Sequence, residues 1–251
     1  MNINFQEGNP LEIETDCLMA GLFEGEEFSN GILKTGNESF DSSLETLNSQ
    51  GELVGKNGTL TLIHTLGNTG PIRLLFSGLG NRDSITEKVI TEALGTSLRK
   101  VRSIGVNKVT VAVDTFTTDD ISSERIAELV TLSSINGLYT YEAHISEKPD
   151  KVVEEVFLNM KEPAKVNVSS YTAIGDAINL ARDLSNAPAN QMTPTILSGI
   201  AEQQSQANNM EFELIDEDKM KEFGMGSLLG VAQGSTEPAY MIVMKYHGNQ
   251  D

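Results

Sequence analysis

The sequence is short of several features that would place it in familiar classes. Its single cysteine, Cys17, excludes an internal disulfide, and the cysteine's apolar neighbours favour a buried structural thiol over a nucleophile. No apolar run approaches the ~20 residues needed to cross a bilayer. The first residues contain neither a basic segment nor an apolar signal core. These absences predict a soluble, cytoplasmic protein without a membrane partner.

Positive charge is scarce as well. The 251 residues carry 36 acidic and 18 basic side chains, which gives a net charge of -18, and the basic residues form no stripe. A surface of this sign repels phosphate backbones and anionic lipids, so we expect no nucleic-acid partner. Hydrophobic residues still make up 39% of the chain, enough for a packed core.

Motifs for metal binding or nucleophilic catalysis are missing. The three histidines, His64, His144 and His247, are scattered, and the sequence has neither a His-Glu-x-x-His motif nor paired cysteines. His64 and His144 lie in strand-like runs, which favours structural roles, while His247 lies in a terminal turn, where we expect it to be exposed. There is no Gly-x-Ser-x-Gly elbow either.

The chain does contain an alternation of strand and helix patterns. Cys17–Phe23 is a continuous apolar run, typical of a strand that is buried on both faces. Units of this kind usually build a mostly parallel sheet with helices on both faces. Glu162–Lys165, a polar segment with a proline, predicts a boundary between domains 1–162 and 163–251. Residues 1 to about 25 are predicted to form two short strands, of which Cys17–Phe23 is one. Further strands are predicted at 58–64, 73–77, 109–113, 139–145, 152–158, 211–215 and 240–244, the last of them buried.

Polar residues mark the predicted helix starts. Ser84 and Glu87 have the spacing of a capping box. Asp119–Asp120 and Asp216–Asp218 each stand where a helix begins, a place where the helix dipole favours acidic residues. We therefore expect these acidic pairs to cap helices rather than to perform acid–base chemistry. A helix is also predicted near 42–48 and helical turns at 226–233.

Two glycine patterns suggest phosphate binding but fit it incompletely. Gly78-Leu79-Gly80 lies between a strand and a helix, where backbone N–H groups can face an anion. Asp83 stands in place of the third glycine of a dinucleotide fingerprint, so a tight turn is the alternative. Gly224-Met225-Gly226 follows a helix, which indicates a helix stop and restart.

A polar turn at Asn186–Thr195 separates two helical patterns. Pro188 disfavours the helical conformation at the residue before it, so the first helix must end near Asn186. Thr193 is predicted to cap the second helix, with Pro194 as its first residue. One face of the first helix is apolar; it consists of Ala173, Ile174, Ala177, Ile178, Ala181 and Leu184.

The residues of this turn, Asn-Ala-Pro-Ala-Asn followed by Thr-Pro, closely resemble the start of the catalytic domain in the leucyl aminopeptidase (cytosol aminopeptidase) family. Residues 180–186, 220–235 and 237–238 resemble the family too, so the likeness covers about residues 171–246. Residues 1–162 match only in their general α/β pattern, as expected of the family's variable N-terminal domain.

The resemblance implies an α/β fold: an N-terminal macro-domain-like mixed sheet flanked by helices, then the first part of an α/β metallo-aminopeptidase catalytic domain. Family members are hexamers that remove N-terminal residues from peptides with two divalent metal ions, zinc or manganese. Their ligands lie on a Val-Gly-Lys-Gly segment and an Asn-Thr-Asp-Ala-Glu-Gly-Arg segment, and neither is present here. Val54-Gly55-Lys56 precedes the Asn-Ala-Pro element, so it does not correspond to the first.

We therefore expect the chain to be a fragment that stops soon after Tyr246, before the ligand segments. No catalytic, cofactor-binding or metal-binding residue can be assigned, and the fragment is expected to be inactive. The alternative is a non-catalytic module that binds a nucleotide-like ligand or mediates oligomer assembly. Without further strands beside 240–244, the edge and apolar faces of this strand would be exposed. We therefore expect self-association or disorder in the last ~85 residues, with the N-terminal domain folded.

Overall fold

The structure is a computed structural model, and it describes residues 1–26, 34–147, 150–161 and 166–248. The chain divides into two units, Met1–Asn179 and Leu180–Asp251. The predicted boundary at Glu162–Lys165 lies outside the described residues and stays a prediction. Within the described ranges, no helix has both the length and the apolar composition needed to cross a bilayer.

The first unit is built on one six-stranded sheet. Its strands are β1 (Asn2–Gln6), β2 (Cys17–Phe23), β3 (Leu60–His64), β4 (Arg73–Gly80), β5 (Lys108–Ala112) and β6 (Glu155–Asn159). They are arranged in the order β1-β6-β5-β2-β4-β3, and all neighbours are parallel except β3 and β4. All seven residues of β2 are buried, as its unbroken apolar run predicts. The mixed α/β sheet expected from the sequence is confirmed.

Helices cover both faces of this sheet. They are α1 (Glu38–Ser49), α2 (Glu87–Ser103), α3 (Ser123–Gly137) and the start of α4 (Val168–Asn186). Side chains alternate between the two faces of a strand, so β2 contributes Met19 to one core and Leu18 to the other. The first core lies against α2 and α3, and the second lies against α1, where Leu44 is buried.

Two predicted helix caps are wrong. Thr86, not Ser84, caps α2, because Ser84 belongs to a separate 3-10 turn and the helix begins only at Glu87. Ser122 caps α3, and its side chain accepts a hydrogen bond from the backbone N–H of Arg125. Asp119–Asp120 are exposed and lie ahead of this cap.

The predicted strand at 139–145 is absent. The segment forms turns, and Arg102 Nη1 ties it to the end of α2 by donating to Leu138 O and Thr140 Oγ1, each at 2.9 Å. These polar bonds replace the pairing that a strand would need. The next strand, β6, begins at Glu155 rather than at Val152.

Helix α4 ends at Asn186 as predicted, but within the first unit its predicted apolar face is not the one that packs on α3. The contact is made by Gly175, where an added Cβ would lie 2.9 Å from Ile135 Cγ2. Asn179 Nδ2 also donates to Ile135 O at 3.2 Å. Ile174 and Ile178 are 46% and 37% exposed, so the apolar face is largely uncovered.

The second unit contains α5 (Pro194–Ala207), β7 (Glu211–Ile215), α6 (Glu217–Glu222), α7 (Gly226–Ala232) and β8 (Met241–Lys245). The predicted Thr193 cap of α5 and Asp216 cap of α6 are confirmed. Among the described residues, strand β8 pairs antiparallel with β7 alone. Met241 and Met244 are 39% and 38% exposed. The strand is therefore not buried as its apolar run predicts, and its apolar faces are exposed as expected for a strand without further neighbours.

Candidate functional site

The carboxyl ends of the parallel strands form the edge of the sheet at which open α/β folds usually bind ligands. After β2 the chain runs through α1 and β3 to β4 on one side of β2, and after β5 it crosses to β6 on the other side. The adjacent ends of β2 and β5 therefore form a topological switch point, where open α/β sheets usually bind their ligands.

This switch point is filled by the chain itself. A 3-10 turn, Val113–Phe116, follows β5, and the Phe116 side chain is completely buried. Gly21 N donates to Thr115 Oγ1 at 2.8 Å. A Cβ at Gly21 would lie 2.8 Å from Thr115 O, so the turn packs directly on the β2 backbone. The described residues leave no room for a nucleotide between these two strands.

The glycines at the end of β4 have a packing role. Gly78 N donates to Thr59 O at 2.9 Å and Gly80 N donates to Gly55 O at 2.8 Å, so these N–H groups are not free for a phosphate. A Cβ at Gly78 would lie 2.0 Å from Lys56 O. The glycine pattern thus lets the 55–59 turn approach the strand closely.

The same turn explains the Val54-Gly55-Lys56 segment. Gly55 has a φ of +65° and lies so close to β2 that an added Cβ would be 2.4 Å from Phe23 O. Lys56 is exposed, and its backbone carbonyl accepts from Thr59 Oγ1 at 2.7 Å. The segment is a packed turn of the first unit, which agrees with its position ahead of the Asn-Ala-Pro element.

A small cavity of about 350 Å³ lies beside these strand ends. Arg82 is its cation, but the guanidinium stacks on Phe23 at 3.9 Å, pairs with Glu26 and donates to Thr117 O at 2.8 Å. The Asp83 N–H, in turn, donates to Asn81 Oδ1. With its arginine engaged and carboxylates around it, this cavity opposes a phosphate.

The described residues do not fit a two-metal site. No three histidine, cysteine, aspartate or glutamate side chains converge in the part of the chain that the structure describes. Burial raises the pKa of the Cys17 thiol to about 12, which keeps it protonated. His64 lies exposed at the end of β3, and His144 contacts the Tyr141 ring in a turn. His247, exposed as expected, is 2.9 Å from Glu211 Oε1.

The acidic run at α6 is used for local structure. Asp216 Oδ1 accepts from Lys219 N at 2.9 Å, and Glu217 Oε1 accepts from Ala239 N at 2.9 Å. Asp218 pairs with Lys221, and this partner lowers the pKa of the exposed Asp218 carboxyl. The prediction that this run serves a helix start, rather than acid–base chemistry, agrees with these contacts.

Sequence reasoning missed a second cavity, of about 930 Å³, near the ends of α2 and α3. Among its lining residues are Arg102, Lys151 and Asp176. They come from separate segments with no common motif, so only the fold brings them together.

Comparison with known proteins gives matches along both units. The model of the cytosol aminopeptidase family's N-terminal domain matches residues 19–148, and that of the family's catalytic domain matches residues 179–251. A mutant of tomato leucine aminopeptidase has a TM-score of 0.82 and 20% identity, over 97% of this chain and 50% of that one.

A second solved relative is the bottromycin maturation enzyme BotP. Its structure in complex with Mn has a TM-score of 0.72 and 20% identity, over 93% of this chain and 45% of that one. A further BotP structure has a TM-score of 0.75 and 21% identity. The chain thus spans about half the length of the solved structures it matches.

Proposed function

Because this chain belongs to the cytosol aminopeptidase family, we propose that it forms the N-terminal domain and the first part of the catalytic domain of a metal-dependent leucyl aminopeptidase. The whole enzyme would remove N-terminal amino acids from peptides. The observation that carries this proposal is the match of the family's catalytic domain to residues 179–251, which include the second unit.

We propose two divalent ions, zinc or manganese, as the cofactors of the whole enzyme. The Mn bound by BotP, a structural relative, supports divalent metal chemistry. In two-metal hydrolases such ions activate a water and polarise the substrate carbonyl. Because the sequence contains neither of the ligand segments that the family resemblance implies, we propose that the metal ligands lie outside these 251 residues, and we assign no catalytic residue here. The family's name supports a cytoplasmic location, and a homohexamer is part of the same proposal.

Hydrolysis of leucine amide tests this proposal. The purified 251-residue chain, with added Mn²⁺ or Zn²⁺, should give no turnover, while tomato leucine aminopeptidase in the same assay serves as the positive control. A longer chain that adds the segments found in the relatives should gain activity. Metal-dependent turnover by the 251 residues alone would refute the assignment of the ligands to other residues.

The alternative, a nucleotide-binding module, is disfavoured by the filled switch point. The buried Phe116 and the engaged N–H groups of Gly78 and Gly80 remove the usual means of holding a phosphate. Titration calorimetry with ADP-ribose should therefore show no saturable heat of binding. A saturable signal would favour the alternative, whether or not the chain has peptidase activity.

A further inference from the structure

The larger cavity, of about 930 Å³, lies within the first unit. It is bounded by the start of β1, the ends of α2 and α3, the segment before β6 and the first half of α4. Its volume falls in the range of ~300–1,000 Å³ that is typical of small-molecule sites. Neither the family assignment nor the proposed metal chemistry gives this cavity a role.

One part of the cavity is an apolar floor. Ile3, Leu138 and Val168 line it and pack against the main core of the unit, and Val153 beside them is 3% exposed. Because these side chains are anchored in the core, the floor keeps its shape without a ligand. Such a surface suits an apolar side chain of a ligand.

Two fixed cations line another part. Arg102 Nη1 donates to Leu138 O and Thr140 Oγ1, and Lys151 Nζ donates to Ser103 O at 2.8 Å. These bonds hold both cations at helix ends, where the carbonyl groups favour positive charge. An arginine has five N–H donors and a lysine three, so both retain donors for an anion.

Acidic side chains complete the lining. Asp176, on α4, is exposed, and Glu142, in the loop after α3, is half-buried. Neither forms an ion pair with any residue that the structure describes. The cavity therefore offers cations and carboxylates on different elements, together with an apolar floor.

We propose that this cavity binds a short apolar peptide in its zwitterionic form. The peptide carboxylate would contact Arg102 and Lys151, the N-terminal ammonium would contact Asp176, and the side chains would cover the floor. A simple fatty acid would make no contact with Asp176, and an amine alone would make none with Arg102 and Lys151. The idea that an aminopeptidase is the source of such peptides rests on the proposed function. The binding of a peptide to this cavity does not rest on it.

Calorimetry of the 251-residue chain with the tripeptide Ala-Leu-Ala, in EDTA, tests the proposal. We expect one saturable site, and N-acetylation or C-amidation of the peptide should each weaken binding about two- to five-fold, as for a partly exposed ion pair. Asp176→Asn should abolish the effect of acetylation, and Lys151→Gln should reduce the effect of amidation. Asp120→Asn and Lys100→Gln, at exposed positions outside the cavity lining, are the matched controls.

Absence of a saturable signal would overturn the proposal. So would equal binding of the free, acetylated and amidated peptides, or an acetylation effect that persists in Asp176→Asn. Because EDTA removes metal-dependent hydrolysis from the experiment, its outcome is independent of whether the aminopeptidase proposal holds.

Discussion

Replacement of Phe116 by alanine tests whether the switch point is a packed core rather than an open ligand site. The side chain is completely buried within the main core of the first unit. A buried phenylalanine removes roughly 150–250 Å² from water, which at about 25 cal/mol per Å² gives an upper value of about 4–6 kcal/mol. Measured Phe→Ala substitutions in cores cost about 3–5 kcal/mol, and we expect this range for Phe116→Ala.

Amide hydrogen exchange is the suitable assay, because the two units need not unfold together. Peptides from β2, β5 and α3 report on the core around Phe116, so their protection should fall by the full amount. Phe5→Ala is the matched control, since Phe5 is 44% exposed on the edge strand β1. It should cost no more than about 1 kcal/mol.

A milder variant at the same position keeps the test usable if Phe116→Ala unfolds completely. Phe116→Leu keeps most of the volume and should cost about 1 kcal/mol. If Phe116→Ala loses less than about 1 kcal/mol of protection in β2 and β5, the reasoning that the turn fills this place is refuted.

Three further predictions concern reactivity, acid stability and close packing. Since burial raises the pKa of Cys17 to about 12, iodoacetamide at neutral pH should alkylate the native chain more than about a hundredfold more slowly than the urea-unfolded chain; equal rates would contradict the buried thiol. The hydrogen bond from Arg125 lowers the pKa of Glu87, so its contribution is complete above the ordinary glutamate pKa and is lost as the pH falls through the lowered folded value. Because the pair is partly exposed, Glu87→Gln should lower the free energy of unfolding by only about 0.2–1 kcal/mol at neutral pH and by almost nothing at acidic pH. Urea unfolding at a series of pH values measures this difference. A loss that is the same at every pH would count against the pairing. Gly78→Ala would place a Cβ 2.0 Å from Lys56 O and should destabilise the first unit by about 1–3 kcal/mol or more in thermal unfolding. Gly199→Ala, inside α5 and facing open space, should instead stabilise the second unit by about 0.5–1 kcal/mol. A Gly78→Ala variant as stable as the original chain would refute the packing role of this glycine.

The features that the sequence predicts well are those set by local patterns. The run Cys17–Phe23 has no charged residue and is typical of a strand covered on both faces, and β2 is such a strand. Thr193 and Pro194 fix the start of α5 through a hydroxyl and a missing N–H, which need no tertiary partner. The family resemblance likewise depends on short sequence motifs, and the family matches confirm it.

The features that were predicted wrongly depend on distant partners. Nothing near 139–145 reveals that Arg102, at the end of helix α2, will hold this segment in turns. The apolar periodicity of α4 does not reveal that Gly175 makes the close contact with Ile135. The lining of the larger cavity was invisible for the same reason, since each of its charged residues is unremarkable in its own segment.

The uncovered isoleucines of α4 have a practical consequence for the solution behaviour of this chain. Ile174 and Ile178 lie one helical turn apart on a molecule whose net charge is -18. Like-charge repulsion between copies reaches about 30 Å in 0.01 M salt but only about 8 Å at physiological ionic strength. Salt therefore weakens the repulsion that keeps the isoleucine surfaces of two copies apart, so added salt should lower the solubility of the chain rather than raise it.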